Sequence, residues 1–223
     1  MGAYTLSGDN YPKRIPMYND AERIRIFRTG GMQGMLEAGV YTEAAGTELR
    51  RLWAAETDAD PKEAAGRDWL RIYQAEGRKA LSGYLGTPHE QDYDELNAII
   101  AKFKAGSGSL FLKRMGRTED ERWYEPVDLS RTHVLVIEWT HGNSDFLHGV
   151  DVPVLLNSTP EETRIHRRSR ARDGKTDSAF TTMVLEIEQA ELDRCAHKAK
   201  IIISKSGQVL RFSQYRRLME QEG

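Results

Sequence analysis

The chain holds one cysteine, Cys195, so no disulfide can form within it, and a reducing, cytoplasmic setting is the expectation. No apolar run approaches the ~20 residues that span a bilayer. No basic segment followed by an apolar core marks a secretory leader, so no membrane partner is expected. Neither sign of charge dominates: 32 Lys and Arg against 34 Asp and Glu leave a net charge of −2. That removes any global pull toward nucleic acid. The six histidines show no metal-ligand spacing, and there is no internal repeat or low-complexity tract. The absence with the largest consequence is a motif. Nothing reads G-x-x-x-x-G-K-[ST], the loop whose backbone N–H groups and lysine cradle nucleotide phosphates and whose hydroxyl binds magnesium. Lys104-Ala105-Gly106-Ser107-Gly108-Ser109 is glycine-rich, but it follows a helical pattern and precedes a strand pattern, the reverse of strand–loop–helix.

What is present suits a globular protein: 39% hydrophobic and 30% charged residues over 223 positions, enough for one large domain or a domain with an insertion. Tyr4-Thr5-Leu6 reads as a strand that turns at Ser7-Gly8-Asp9-Asn10. Asn19 and Glu22 form a capping-box pattern ahead of a helix through Ile24, Phe27 and Arg28, which Gly30-Gly31 is expected to stop. Thr42 to about Glu56 reads as helix. Asp60-Pro61 looks like a cap and first helical position for a helix carrying Trp69, Leu70 and Tyr73. A further helix runs from about Asp92 to Ala105, with Leu96, Ile99, Ile100 and Phe103 at helical spacing. The second half alternates. Val134 to Ile137, Val152 to Leu156 and Ile201 to Ile203 have the composition of buried strands. Helices are expected from Thr159 and over Ser178 to His197, with Ser213 capping a terminal one. This order predicts right-handed crossovers and an α/β fold with a parallel sheet flanked by helices. The expected organisation is a single domain over residues 1–223, with residues 30–85 a helical insertion within it.

Four segments carry chemistry. Asp9 lies at the carboxyl end of a strand, where open α/β sheets bind ligands. Val134 to Ile137 leads into Glu138, a carboxylate placed to hold Mg²⁺ directly or through water. An arginine-rich run includes Arg167, Arg168, Arg170 and Arg172. Lys113, Arg114 and Arg117 sit between the Asp92 helix and the Glu138 strand.

In order, these segments resemble the uridine kinase, phosphoribulokinase and pantothenate kinase group of P-loop kinases. Asp9 matches the aspartate that acts there as general base. Pro88-His89-Glu90-Gln91-Asp92-Tyr93 resembles its Pro-x-x-x-Asp-aromatic segment. Glu138 matches the acid of its strand-ending Glu-Gly, with Trp139 in place of the glycine. Arg167, Arg168, Arg170, Arg172 and Asp173 resemble its lid helix. The likeness is patchy over residues 4–30 and better over 86–205. The first strand, phosphate loop and first helix of the group have no counterpart in this sequence.

The resemblance implies ATP-dependent phosphoryl transfer to a hydroxyl on a small molecule of nucleoside or sugar phosphate type. In that reading Asp9, Arg168 and Arg172 are catalytic, Glu138 holds Mg²⁺, and Tyr11, Arg14, Asp92, Lys113, Arg114, Arg117, His141 and Arg167 bind substrate. ATP and Mg²⁺ are the implied cofactors, the ATP site being incomplete in this chain, and a homodimer is among the expected assemblies. Plainer readings stand beside these. Asp9 also fits an Asx turn, and Glu138 a carboxylate paired with an arginine. The arginine run also fits a solvated helix face or RNA contact. Lys113, Arg114 and Arg117 also fit surface pairing with Glu119-Asp120-Glu121, and Asp92 a simple helix cap. Without the phosphate loop the chain is expected to be inactive, or else a non-catalytic metabolite-binding or interaction protein derived from the kinase fold.

Overall fold

The computed structural model describes residues 2–157 and 178–221. In chain order its elements are β1 (Ala3–Ser7), α1 (Pro16–Glu37), α2 (Glu43–Ala55), α3 (Asp68–Ser82), α4 (Tyr93–Lys104), β2 (Ser109–Met115), β3 (Arg122–Asp128), β4 (Val134–Glu138), β5 (Val154–Asn157), α5 (Ala179–Cys195), β6 (Ile201–Ser204), β7 (Val209–Leu210) and α6 (Phe212–Gln221). The fold is α/β. The chain divides into two compact units. One is formed by the described parts of Met1–Asn19, Gly86–Ser169 and Ala190–Gly223, the other by those of Asp20–Leu85 and Arg170–Gln189.

The first unit holds every strand among the described residues. β1 and β4 pair in parallel from Ala3↔Val134 to Ser7↔Glu138. β2 and β3 form an antiparallel hairpin. β5 and β6 pair in parallel, with β7 antiparallel on the other edge of β6. These are three separate ladders, so among the described residues β4 and β5 share no hydrogen bonds. α4 buries Leu96, Ile99 and Ile100 against Leu6, Leu110 and Leu112, and Leu135 and Ile137 of β4 pack on the same cluster. A second cluster joins Leu155, Ala196, Ile202 and Tyr215.

The strands expected to be buried on both faces are covered on one. In β4, Val134 and Val136 are 45% and 44% exposed, and in β5 Leu156 is 70% exposed. Side chains alternate across a strand, so a single row of apolar residues on each strand is left uncovered among the described residues.

The second unit is helical, and the structure corrects four readings about helix ends, that at Ser213 lying in the first unit. Gly30 and Gly31 do not stop a helix: α1 runs through them to Glu37. A Cβ on Gly31 would stand 2.5 Å from the Tyr73 ring, and one on Gly77 would stand 2.7 Å from Phe27. These glycines let α1 and α3 approach closely, and this need outweighs their low helix propensity. Pro16, not Asn19, opens α1, at the position where a missing N–H costs nothing. Asn19 sits inside the helix and donates instead to Glu90 Oε1 at 3.0 Å. Asp60-Pro61 begins a run of turns, and α3 starts only at Asp68. Asp60 Oδ1 accepts from the Lys62 amide, an Asx turn that competes with helix. Ser213 likewise lies within α6 and does not cap it; Gln214 Oε1 accepts from the Arg211 amide there. The helix expected from Thr42 to about Glu56 is α2, with Thr42 as its cap, the hydroxyl accepting from the Ala45 amide.

The loops between the helices of this unit are tied by Asp58. Arg28 donates to both its oxygens at 3.1 Å, and Tyr73 donates to Oδ2 at 2.8 Å while accepting from the Trp53 indole. Met183, Val184 and Ile187 of α5 join Phe27, Leu49, Leu52, Leu70 and Tyr73 in the core.

Candidate functional site

The parallel register of β1 and β4 sets two carboxylates at one end of the first unit. Glu138 is the last residue of β4, level with Ser7, and Asp9 follows in a short 3-10 turn, Gly8–Asn10. Neither carboxylate has a hydrogen bond or ion pair among the described residues. Asp9 is an exposed residue, yet partial desolvation by its surroundings raises its carboxyl above the usual range. Desolvation penalises the charged form, and no cation among the described residues offsets it.

Trp139 follows Glu138 and packs over this turn. A Cβ on Gly8 would overlap its ring, so the glycine makes room for the indole. Trp139 meets Tyr93 at 5.2 Å and His141 edge-on at 5.1 Å. The His141 ring lies against Gly86, where φ is +66° and a Cβ would stand 2.9 Å away. Burial pushes the Tyr93 hydroxyl up to about 12, and it donates to the Gly86 carbonyl at 2.6 Å.

The chain beyond Asp9 docks on residues 86–92. The Lys13 amide donates to the Glu90 carbonyl, the Asp92 amide donates to the Tyr11 carbonyl, and Arg14 donates to the His89 carbonyl at 3.3 Å. Sequence reasoning missed Glu90. Fully buried, its carboxylate accepts from the Gly86 amide at 2.7 Å as well as from Asn19. Only its place inside the Pro88–Tyr93 segment hinted at it.

On its other side the Asp9 turn meets the hairpin. Asn10 Oδ1 accepts from the Met115 amide at 3.0 Å. Lys113 is buried, paired with Glu95 and with Asp92 at 3.4 Å, and its ammonium lies 5.1 Å from the Tyr11 ring centre. Asp92 also caps α4, accepting from the Glu95 amide, so cap and ion pair are one residue. Arg114 bonds Glu125 at 2.9 Å and the Tyr4 hydroxyl at 2.9 Å. Glu121 accepts from the Arg117 and Thr118 amides, and those two bonds hold its carboxyl below the ordinary range.

The structure thus gathers Asp9, Tyr11, Arg14, Asp92, Lys113 and Arg114 in one neighbourhood, with Glu138 and His141 at the end of the adjoining strand. Arg167, Arg168 and Arg172 lie outside the described residues, as do Arg170 and Asp173. Among the described residues no group of three or more His, Cys, Asp or Glu could hold a metal ion. No helix among them is long and apolar enough to cross a membrane.

No protein-family model matches the chain, and no solved structure matches it. A curated protein does. The bifunctional alpha-galactosidase/sucrose kinase AgaSK of Mediterraneibacter gnavus is 37% identical over 206 residues, 92% of this chain. The chain spans 17% of that protein's length. It is therefore a homologue, over nearly its whole length, of a small part of an enzyme whose name pairs a glycosidase with a kinase.

Proposed function

We propose that the chain is the acceptor-binding portion of an ATP-dependent, P-loop-type small-molecule kinase, of the uridine kinase-like group. Its phosphate-binding loop would come from residues outside these 223, or from another chain. The observation that carries the reading is Asp9: a carboxylate in the turn that ends a parallel strand, with a raised pKa, two residues beyond the level of Glu138, neither carboxylate having a partner among the described residues. A group whose only task were to hold a turn would not need a raised pKa or to lack a partner among the described residues.

In this reading the acceptor hydroxyl lies against Asp9, which takes its proton as the oxygen attacks the phosphoryl group. Glu138 suits Mg²⁺, which usually takes one or two protein carboxylates and fills its remaining positions with water and phosphate. Bound there, the ion would neutralise charge on the phosphates. The triphosphate cradle has no counterpart in this sequence, so the chain by itself supplies the acceptor half and is expected to be inactive. The relative's name brings a disaccharide hydroxyl forward beside the nucleoside and sugar phosphate classes, with sucrose the first acceptor to try.

The test is phosphoryl transfer from ATP to sucrose by the chain joined to a strand–phosphate loop–helix segment, with and without Asp9→Asn. Transfer that falls about 10²–10⁴-fold in the variant is the expected result for a general base. Undiminished transfer would remove Asp9 from that role. A second reading, a non-catalytic metabolite-binding derivative of the fold, is favoured by the missing loop. It would prevail if the joined protein bound sugar and transferred nothing.

A further inference from the structure

β3 carries an exposed tryptophan whose ring is hydrogen-bonded in place. Trp123 is 46% exposed, yet its indole N–H donates to Glu125 Oε1 at 3.0 Å. The other oxygen of Glu125 takes Arg114 Nε, and Arg114 Nη2 reaches Tyr4 on β1. The indole N–H first, and then the guanidinium, hold the Glu125 carboxyl below its ordinary range. An exposed indole normally gains little from being fixed, because surface ion pairs and ordered side chains give back their stabilisation in lost freedom. Three linked side chains spanning β1, β2 and β3 to set one ring are better explained by something that lies on the ring.

The ring is also within reach of the reacting end. The Asp9 turn is tied to β2 through Asn10 and Met115, and Trp123 sits on β3 opposite Arg114. β3 is one strand spacing of ~5 Å beyond β2, so the turn and Trp123 lie on neighbouring elements of the first unit. The charge of the neighbourhood points the same way. Among the described residues, the cations packed nearest the turn are engaged: Lys113 by Asp92 and Glu95, Arg114 by Glu125 and Tyr4, Arg14 by the His89 carbonyl. Lys13 and Arg122 keep exposed heads in solvent. An anionic acceptor would need desolvated donors held free for it, and these are taken.

We propose that Trp123, fixed by the Glu125–Arg114–Tyr4 chain, is a stacking platform for a neutral saccharide whose far hydroxyl reaches Asp9. The apolar face of a sugar ring lies on the indole, and the polar rim of the ring meets Glu125 and Arg114. This rests on the kinase reading for the use of that hydroxyl, but the binding itself needs no nucleotide.

The test is calorimetric titration of sucrose and, separately, of glucose 6-phosphate into the 223-residue chain without ATP, for wild type, Trp123→Ala and Trp123→Phe. Circular dichroism of the variants checks that the exposed site tolerates the change. Sucrose should bind wild type more tightly than the phosphate does. Trp123→Ala should weaken it about ten-fold, the equivalent of about 1.4 kcal/mol, and Trp123→Phe should restore most of the affinity. Absence of sucrose binding, binding unchanged in Trp123→Ala, or preference for glucose 6-phosphate would each overturn the platform. Sucrose binding with the expected variant pattern, but no transfer by the joined protein, would leave the platform standing and sink the kinase reading instead.

Discussion

Asp9 shows how one carboxylate can cost stability and serve chemistry at once. Burial raises its pKa in the folded chain, so the folded state holds this proton more tightly than the unfolded state does. Its contribution to stability is then full below the unfolded pKa and is lost as pH rises through the folded one. At neutral pH the charged group is a net cost. Asp9→Asn should therefore raise the melting temperature while removing the base, a trade between stability and function. An unchanged or lower melting temperature would mean the carboxylate is stabilised by something other than its surroundings suggest. The same shift sets the pH dependence of the joined enzyme. The base must be ionised, so activity should fall on acidification at a pH above the ordinary aspartate range, as a pH–rate profile in kcat/KM would reveal. In the helical unit Asp58 is the opposite case, buried and fully engaged. Asp58→Ala leaves Arg28 and the Tyr73 hydroxyl without their partner and should cost about 3 kcal/mol in urea unfolding.

At the scale of elements, α1 and α3 depend on glycine. Gly31→Ala would gain about 1 kcal/mol of helix propensity on an exposed helix. Here the added methyl meets the Tyr73 ring and backbone at 2.5–2.7 Å, and the overpacking cost of about 1–3 kcal/mol decides the sign. Equilibrium denaturation of Gly31→Ala should show net destabilisation, and a stabilised variant would refute the close crossing. This is also where sequence reading fell short. A glycine pair reads as a stop when its helix is considered alone, and only the partner helix explains it. Asn19 and Asp60 misled in the same way, each being a good cap by residue type but bonded elsewhere: Asn19 to a buried glutamate 71 residues away, Asp60 within its own turn. Signals that close within a few residues were legible, as at Thr42 and at Asp92 with the α4 it caps. So were the apolar runs of β4, β5 and β6. The Asp9 turn and Glu138 were visible because strand ends are local features. The Glu90 bonds and the Trp123–Glu125–Arg114–Tyr4 chain were not, because they join residues up to 110 positions apart.

At the scale of the whole molecule, the telling features among the described residues are the separate parallel pairs β1–β4 and β5–β6 and the apolar rows left exposed on β4 and β5. Of the unpaired edges, β5 has its Val154 carbonyl met by the Asn143 side-chain amide at 3.1 Å. Exposed edges with apolar rows invite pairing with another chain. The isolated chain should therefore bind a hydrophobic dye and self-associate with rising concentration, and joining a strand–phosphate loop–helix segment should suppress both. A dye-silent monomer would show those rows to be covered in solution. The most direct measurement of the central claim is calorimetric titration of Mg-ATP into the chain alone and into the joined protein. No heat is expected from the first and saturable binding from the second. Micromolar binding by the 223 residues alone would contradict the claim and place a nucleotide site within this chain.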